Sequence, residues 1–347
     1  MVSIRNRMIG EGQRCFIIAE AGVNHNGNIG LAKKLIDAAQ AAGADAIKFQ
    51  TFIAEDLVTG TAEKAFYQME NDPDTTSQFE MLRKLELYEQ DFIELSEYAE
   101  KKGIIFLSTA FDNTSIGILS RIGVPAFKIP SGEITNFPYL KEIALLHKPV
   151  IMSTGMSTIG EISEALSCLR DNGCNDIILL HCTTSYPAPL SSVNLRAIST
   201  LREQFGIQVG YSDHTEGIII SIAAAAMGAC IIEKHLTLDR NLPGPDHMAS
   251  LEPEDLAKMV SAVRDVELAL GSGEKQPHEC ELDNRRIARK SIVAALDIPG
   301  CTQLTRVMLA IKRPGTGIEP KHLGNIIGKK TRYAIKKDSV ISWEMIE

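Results

Sequence analysis

Eight short apolar runs along the chain each end in a polar residue. The body of each run is apolar with little alternation, which is typical of parallel strands buried on both faces. Helical patterns separate most of the runs, so the chain repeats a strand–helix unit. This repeat predicts a (β/α)8 TIM barrel whose strands lie at 15–20, 46–51, 104–109, 126–131, 149–154, 177–182, 208–213 and 230–235.

The segments around these strands complete the expected barrel domain, residues 1–272. Helices are predicted over 29–42, 89–102, 114–122, 137–146, 159–172, 194–205, 216–228 and 253–271. Residues 1–14 are expected to form a small hairpin that closes the bottom of the barrel. The connection 52–88 is too long for a turn, and such a loop on the catalytic face usually covers a ligand. A simple helical insertion is the alternative.

The composition changes after the last predicted barrel helix. Residues 273–286 are polar and contain Gly and Pro, which predicts a linker. Short β-like runs follow at 291–296, 307–315 and 334–343, separated by turn signals. We therefore expect a small β-rich domain at 287–347, too small to be comfortably stable alone.

The polar residues at the strand ends are the main candidates for chemistry. A TIM barrel places its active site at the carboxyl ends of its strands. Charged residues are costly in a buried strand unless they are paired or bind a ligand. One pocket is therefore expected to collect Glu20, Lys48, Gln50, Thr109, Lys128, Ser131, Ser153, His181, Ser212, His214, Glu233 and His235.

Composition narrows the classes of function. The net charge of −8 argues against bulk nucleic-acid binding. The sequence contains no run of about 18 apolar residues, so no membrane span is predicted. The N-terminus lacks the apolar core of a signal peptide. The seven cysteines include no C-x-x-C pair. Several lie inside predicted strands or helices and their number is odd, which favours reduced thiols and a cytoplasmic location.

Two histidines indicate a metal site. His214 and His235 follow neighbouring strands, and two imidazoles there can share one divalent metal that substrate and water complete. Asp213, Glu233 and Asp246 are expected nearby. With oxygen ligands beside two histidines, Mn²⁺ or Mg²⁺ fits better than a structural Zn²⁺ site. The alternative for either histidine is a hydrogen-bonded core residue.

A second set of residues suits an anion. Ammonium groups beside several hydroxyls can hold a phosphate or carboxylate, and the turn at 130–133, which includes Glu133, can add backbone N–H groups. The alternative is that each lysine pairs with a glutamate and only stabilises the barrel. The residues of this set are Lys48, Lys128, Ser131, Ser153, Thr184 and Ser212.

Two further residues have candidate roles. Glu20, at the end of the first barrel strand, can position water or shuttle a proton, or it can pair with Lys48. Arg313 precedes a Pro-Gly turn in the small domain. A rigid arginine there could reach into an active site, whereas an exposed arginine is usually just a solvated charge.

Nine motifs in order give the chain a family resemblance. Together they resemble the N-acetylneuraminate (sialic acid) synthase family, which includes legionaminic acid synthases, and the C-terminal domain is similar to the antifreeze-like SAF domain. They cover essentially the whole chain from residue 15. The motifs are AEAGVNHNG, KFQTF, FLSTAFD, KIPSGEITNFPYL, STGM, LLHCTTSYPAP, VGYSDHT, IEKHLTLDRNLPGPDH and KRPGTGI.

The resemblance implies a reaction. Phosphoenolpyruvate would condense with the open-chain aldehyde of an N-acylated mannosamine-type sugar. Water would attack the resulting oxocarbenium carbon, and C–O cleavage would release phosphate and a nine-carbon 2-keto acid. His214 and His235 would bind the metal that polarises the aldehyde, and Glu20 would orient or deprotonate reacting groups.

The resemblance also implies substrate contacts. Phosphoenolpyruvate would lie against Lys48, Lys128, Ser131, Ser153, Thr184 and Ser212, and the sugar would face Gln50, Tyr186 and Asp246. Thr109, Glu133, His181 and Glu233 are further candidates for substrate contact. Arg313 would come from the partner subunit of a domain-swapped homodimer and contact the N-acyl group.

The chain departs from the family pattern at two positions. Ala110 stands where the family usually has Pro, a modest backbone change, and Ser185, on the sugar side, stands where many members have Glu. The stretch that contains KAFYQ and SQFEMLRKLEL is similar in both sialic acid and legionaminic acid synthases, so the sugar stays open. N-acetylmannosamine and 2,4-diacetamido-2,4,6-trideoxymannose both remain candidate acceptors. The alternative functions are a Schiff-base aldolase that uses Lys48 or Lys128 as nucleophile and a non-enzymatic ice-binding protein.

Overall fold

The computed structural model describes residues 1–347, apart from the side chain of Glu70. The chain forms two compact units, Met1–Gly271 and Ser272–Glu347. None of the helices among the described residues combines the length and the apolar character needed to cross a bilayer.

The first unit begins with an antiparallel hairpin, β1 (Val2–Ile4) and β2 (Arg7–Ile9). Apolar residues of this hairpin pack with the inward side chains at the amino ends of the barrel strands, including Phe16 and Ile231. The hairpin therefore closes the bottom of the barrel, as predicted.

Eight parallel strands close into a barrel, which confirms the predicted (β/α)8 fold. The last strand of the barrel pairs with its neighbour in sequence and with the first strand, so the barrel has no free edge. The strands are β3 (Phe16–Gly22), β4 (Ala46–Thr51), β5 (Ile105–Ala110), β6 (Phe127–Ile129), β7 (Val150–Ser153), β8 (Ile177–Cys182), β9 (Gln208–Asp213) and β10 (Ile231–His235).

Alternate residues of each strand enter different cores, because successive side chains point to opposite faces. In β3, Phe16 and Ile18 pack inside the barrel, whereas Ile17 and Ala19 pack against the helices. The flanking helices are α1 (Ile29–Ala41), α5 (Glu89–Lys102), α6 (Asn113–Ile122), α7 (Phe137–Ala144), α8 (Ile159–Asp171), α9 (Ala197–Phe205), α10 (Ile219–Ala226) and α11 (Pro253–Leu270).

Local signals fix where several of these helices start and stop. Thr158 and Glu161 form a reciprocal cap at the start of α8, and the Asn28 side chain accepts a hydrogen bond from the Leu31 N–H at the start of α1. Gly103 ends α5 with a φ of 74°, a left-handed conformation that suits glycine.

The long connection after β4 contains three short helices. They are α2 (Ala54–Leu57), α3 (Phe66–Asn71) and α4 (Gln78–Leu85). Met81, Leu82 and Leu85 of α4 form a small apolar cluster with Val23 and Phe52 from the loops after β3 and β4. We call α2–α4 with their connections the helical insertion.

The second unit has its own core. The predicted linker, 273–286, contains most of a helix, α12 (Glu279–Ala288), in which no residue is buried. A two-stranded ribbon follows, β11 (Ser291–Ala294) and β12 (Leu309–Lys312), and later comes the short α13 (Leu323–Ile326). The run 334–343 contributes only isolated bridges, such as Ile298 with Ile335, rather than a regular strand.

Candidate active site

The carboxyl ends of the barrel strands surround a cavity of about 190 Å³. Predicted site residues make up most of its lining. The lining consists of Glu20, Lys48, Gln50, Thr109, Phe111, Lys128, Pro130, Ser131, Gly132, Ser153, Met156, Cys182, Thr184, Tyr186, Ser212, His214, Glu233 and His235. We call this space the barrel cavity.

Two lysines and two glutamates alternate on the floor of the barrel cavity. Lys48 Nζ lies 2.6 Å from Glu20 and 3.7 Å from Glu233, and Lys128 Nζ lies 3.6 Å from Glu233. All four side chains are buried. The lysines thus pair with glutamates, as the structural alternative proposed, and still face the cavity.

Hydroxyl groups complete this network. Lys48 donates to Thr109 Oγ1 at 3.0 Å, and Lys128 donates to Ser153 Oγ at 2.7 Å. Ser212 Oγ donates to Glu233 at 3.0 Å. Because these groups are held by one another on rigid strands, they are positioned before any ligand arrives.

Burial and neighbouring charges shift the pKa values of Glu20 and Glu233 in opposite directions. Burial raises the pKa of Glu20, although Lys48 offsets part of that effect. Burial would also raise the pKa of Glu233, but Lys128 and Lys48 together hold it below its usual range. Burial lowers the pKa of Lys128. The cavity therefore contains one firmly ionised carboxylate and one carboxyl that takes up a proton more readily.

The two histidines lie side by side at one end of the barrel cavity. Their ring centroids are 5.6 Å apart, and the ring of Tyr186 packs 4.1 Å from that of His214. His214 Nδ1 lies 2.8 Å from the Thr183 carbonyl oxygen, so Nδ1 donates and Nε2 is left as an acceptor. His235 Nδ1 is buried with no hydrogen-bond partner among the described atoms.

This arrangement fits a divalent metal held by two nitrogens. Burial lowers the pKa of His214 to about 4 and also lowers that of His235, so both rings are neutral, the form that binds metals. Among the described residues, no group of three or more His, Cys, Asp or Glu is placed to hold an ion. Substrate and water would have to supply the remaining ligands.

A second cavity, of about 250 Å³, adjoins the first. Gln50, Tyr186 and His235 line both cavities, and Asp246 lines only the second. Much of the remaining wall comes from the helical insertion, including Tyr67, Gln68 and the apolar side chains of α4. The long connection therefore flanks the barrel mouth, and the wall it supplies is partly apolar. We call this space the side cavity.

The structure corrects the positions of three candidates. His181 Nε2 lies 2.7 Å from the Val193 carbonyl oxygen, on the helix-facing side of β8. The Glu133 carboxylate accepts from Asn136 and lines a different surface depression. Asp213 also points away from the barrel cavity and pairs with Lys234. The prediction that His181 shares the barrel cavity is therefore wrong, and neither Glu133 nor Asp213 lines that cavity.

Sequence reasoning missed three lining residues. Cys182, Phe111 and Met156 line the barrel cavity, and Cys182 Sγ lies 3.3 Å from Ser131 Oγ. Cys182 could have been found from alternation, because it lies two residues after Leu180, which packs inside the barrel.

Arg313 lies in the second unit, directly after β12, and is exposed. Its contact with the sugar stays a prediction.

Comparison with known proteins confirms the resemblance seen in the sequence. The NeuB family model matches residues 35–275, and the SAF domain model matches residues 289–347. An N,N'-diacetyllegionaminic acid synthase of Legionella pneumophila is 49% identical over 342 residues, covering 97% of this chain and 96% of that protein. An N-acetylneuraminate-9-phosphate synthase of Homo sapiens is 39% identical, covering 98% of this chain and 95% of that protein.

A solved structure agrees with these relatives. The N-acetylneuraminic acid (sialic acid) synthetase of Leptospira borgpetersenii, crystallised with citrate, is 37% identical and superposes with a TM-score of 0.72. The match covers 82% of this chain and 94% of that one. The chain belongs to the NeuB family, with a SAF domain after its barrel.

Proposed function

We propose that this protein condenses phosphoenolpyruvate with an N-acylated mannosamine-type sugar and water, giving a nonulosonic acid and inorganic phosphate. The relatives are synthases of sialic and legionaminic acids. The observation that carries the proposal is the barrel cavity itself, where two buried lysines and a set of hydroxyls lie beside a pair of neutral histidines.

Phosphoenolpyruvate would bind on the lysine side of the barrel cavity. Lys48 and Lys128 supply the positive charge, and Ser131, Ser153, Thr184 and Ser212 supply hydrogen bonds. Among the carboxylates whose side chains the structure describes, Lys128 contacts Glu233 alone, at 3.6 Å, so its ammonium group keeps capacity for an anion.

The histidine side would receive the sugar aldehyde. His214 and His235 are the residues that would hold a divalent metal, Mn²⁺ or Mg²⁺, whose contribution when bound is to polarise the aldehyde carbonyl. Tyr186 packs against both rings and limits their movement.

The chain's own groups would then guide the bond changes. C3 of phosphoenolpyruvate bonds to the aldehyde carbon, and the aldehyde oxygen becomes an alkoxide that takes up a proton. Water adds to the cationic C2 and loses one proton. Cleavage of the bond between C2 and the phosphate oxygen then leaves a C2 carbonyl, and the remaining hydroxyl proton departs with the phosphate. Glu20 would hold this water and accept its proton, because it pairs with Lys48 at 2.6 Å and is the register partner of His235 on the adjoining strand.

The side cavity would hold the rest of the sugar. Gln50, Tyr186 and Asp246 offer polar contacts, and the apolar wall from α4 accepts a methyl or acetyl group. Both N-acetylmannosamine and 2,4-diacetamido-2,4,6-trideoxymannose stay candidates, and Arg313 of a swapped partner domain would contact the N-acyl group. We also propose a cytoplasmic homodimer, and seven free cysteines support a reducing location.

The test is phosphate release from phosphoenolpyruvate with Mn²⁺ and each sugar in turn. Release with one sugar and not the other would establish both the reaction and the acceptor, and a chelator should abolish it. Release with neither sugar, activity that survives a chelator, or a borohydride-trapped adduct of pyruvate on Lys48 or Lys128 would overturn the proposal. The trapped adduct would favour a Schiff-base aldolase.

A further inference from the structure

A fully buried ion pair lies directly behind the two histidines. Asp213 and Lys234 are register partners on β9 and β10, and their charged atoms are 3.0 Å apart. Neither side chain has any solvent exposure. Each is the residue immediately before a histidine of the barrel cavity, but on the opposite face of its strand, toward the helices.

Hydrogen bonds tie this pair to the backbone on both sides of His214. Asp213 Oδ1 accepts from the Thr215 N–H at 2.9 Å and from Thr215 Oγ1 at 2.8 Å. Asp213 Oδ2 accepts from Ser221 Oγ of α10 at 2.6 Å. Lys234 Nζ donates to the Thr215 carbonyl oxygen. The residues before and after His214 are therefore both fixed to a side chain of the strand that carries His235.

A buried ion pair of this kind usually adds little to the stability of a fold. Removing two charges from water is costly, and well-packed apolar residues of similar size often serve the fold as well or better. The pair does, however, restrict how β9 and the turn after it can move relative to β10. The separation of the two histidines depends on that relative position.

We propose that Asp213 and Lys234 are positioning residues that set the separation and orientation of His214 and His235 for a shared divalent metal. They act from behind the strands and touch neither substrate nor metal. The inference rests on the proposed function, because it takes the histidine pair as the metal site. Groups that hold ligands in place from outside typically change metal affinity about 10–100-fold when removed.

A purely structural role makes a different prediction. If the pair only stabilised the barrel, restoring stability would restore metal binding. The deciding variant is the double substitution Asp213→Leu with Lys234→Met, which removes both charges and leaves neither unpaired.

The experiment measures Mn²⁺ affinity of the full-length chain without substrates, from the free-ion signal in electron paramagnetic resonance, together with the melting temperature. We expect the double variant to fold and to bind Mn²⁺ at least about tenfold more weakly than the parent. Ser221→Ala removes one hydrogen bond to Asp213 and is a milder variant, which should fold and show a smaller loss in the same direction.

A matched control lies at the other end of the barrel. Asp45 and Arg264 form a largely buried pair, 3.1 Å apart. Asp45→Leu with Arg264→Met should leave Mn²⁺ affinity unchanged. Parental affinity in the folded Asp213/Lys234 double variant would overturn the positioning role, as would parental affinity in Ser221→Ala if the double variant does not fold, or an equal loss in the control.

The same titration separates this inference from the proposed function. If the parent binds Mn²⁺ and His235→Ala does not, the proposed metal site is supported, whatever the Mn²⁺ affinity of the double variant. If neither Mn²⁺ nor Mg²⁺ binds the parent, the metal site fails and the positioning role falls with it.

Discussion

At the residue scale, desolvation decides what the titratable groups of the barrel cavity can do. It lowers the pKa of both histidines and so keeps both rings neutral, each with one unprotonated nitrogen. It also raises the pKa of Glu20, whereas two lysines keep Glu233 ionised. The same physical cause thus leaves ring nitrogens that are able to accept a metal and a carboxyl that can exchange a proton.

The first prediction concerns His235. Replacing it by Ala removes one of two protein nitrogens, so we expect at least about 100-fold weaker Mn²⁺ binding and a comparable loss of turnover, with the melting temperature little changed. His181→Ala is the control, because His181 lies outside the barrel cavity. Normal turnover in the His235 variant would contradict the metal assignment.

The second prediction concerns Asp246 and pH. Burial raises the pKa of its carboxyl to about 6, whereas in an unfolded chain an aspartate titrates near 3.9. Between these values the folded protein holds a proton that the unfolded chain releases, so Asp246 makes the protein less stable as the pH rises through this window.

Asp246→Asn has no charge to bury. We expect it to be more stable than the parent by about 2–3 kcal/mol at pH 8, and to show no such advantage at pH 4. Urea unfolding at the two pH values measures the difference. An equal effect at both would show that the carboxyl is not desolvated in the folded state.

At the element scale, the helical insertion links a small apolar cluster to the wall of the side cavity. Met81 is almost completely buried in the small cluster that α4 forms with the loops after β3 and β4. The same helix lines the side cavity. If the side cavity binds the sugar, as proposed, a defect in this cluster should weaken sugar binding and leave phosphoenolpyruvate binding unchanged.

The third prediction follows from this geometry. Met81→Ala should raise KM for the sugar several-fold and leave KM for phosphoenolpyruvate unchanged, because a core truncation that costs about 2–5 kcal/mol loosens the insertion locally. Leu166 in α8 is as buried as Met81 but does not line the side cavity, so Leu166→Ala is the control. It should reduce stability without separating the two KM values, and steady-state kinetics with each substrate varied would show any departure from this pattern.

At the scale of the whole molecule, the proposed swapped dimer makes each active site depend on two chains. A mixture of His235→Ala and Arg313→Ala chains, each inactive alone, would then contain heterodimers with one intact site. If chains mix at random, about a quarter of parental activity should return. Verified heterodimers without activity would place Arg313 in the site of its own chain, or in none.

The parts of the structure that sequence predicted share a physical cause. Strands buried on both faces are recognisable in the sequence as apolar runs, so the barrel could be predicted. Charged residues at the ends of these runs stood out because burying a charge is costly. Lys48, Lys128 and Glu233 were found for this reason.

Other parts of the structure leave weaker signals in the sequence. The last polar residue of a run does not reveal which face it occupies, and His181 was therefore assigned to the cavity in place of Cys182. The helix α12 buries no residue, so no apolar period marks it. Its start is marked only by the Glu281 carboxylate, which accepts from the His278 N–H.

The closure of the barrel brings candidate site residues of its first and last strands side by side. Glu20 on β3 and His235 on β10 are register partners, although 215 positions separate them in the sequence. During synthesis, Glu20, Lys48 and Lys128 emerge from the ribosome long before Glu233 and His235 do. A nascent chain that stops short of β10 therefore has lysines without one of their counter-charges and only one of the two histidines. Catalytic competence appears only when the last strand closes the ring, so activity itself reports a completely translated barrel.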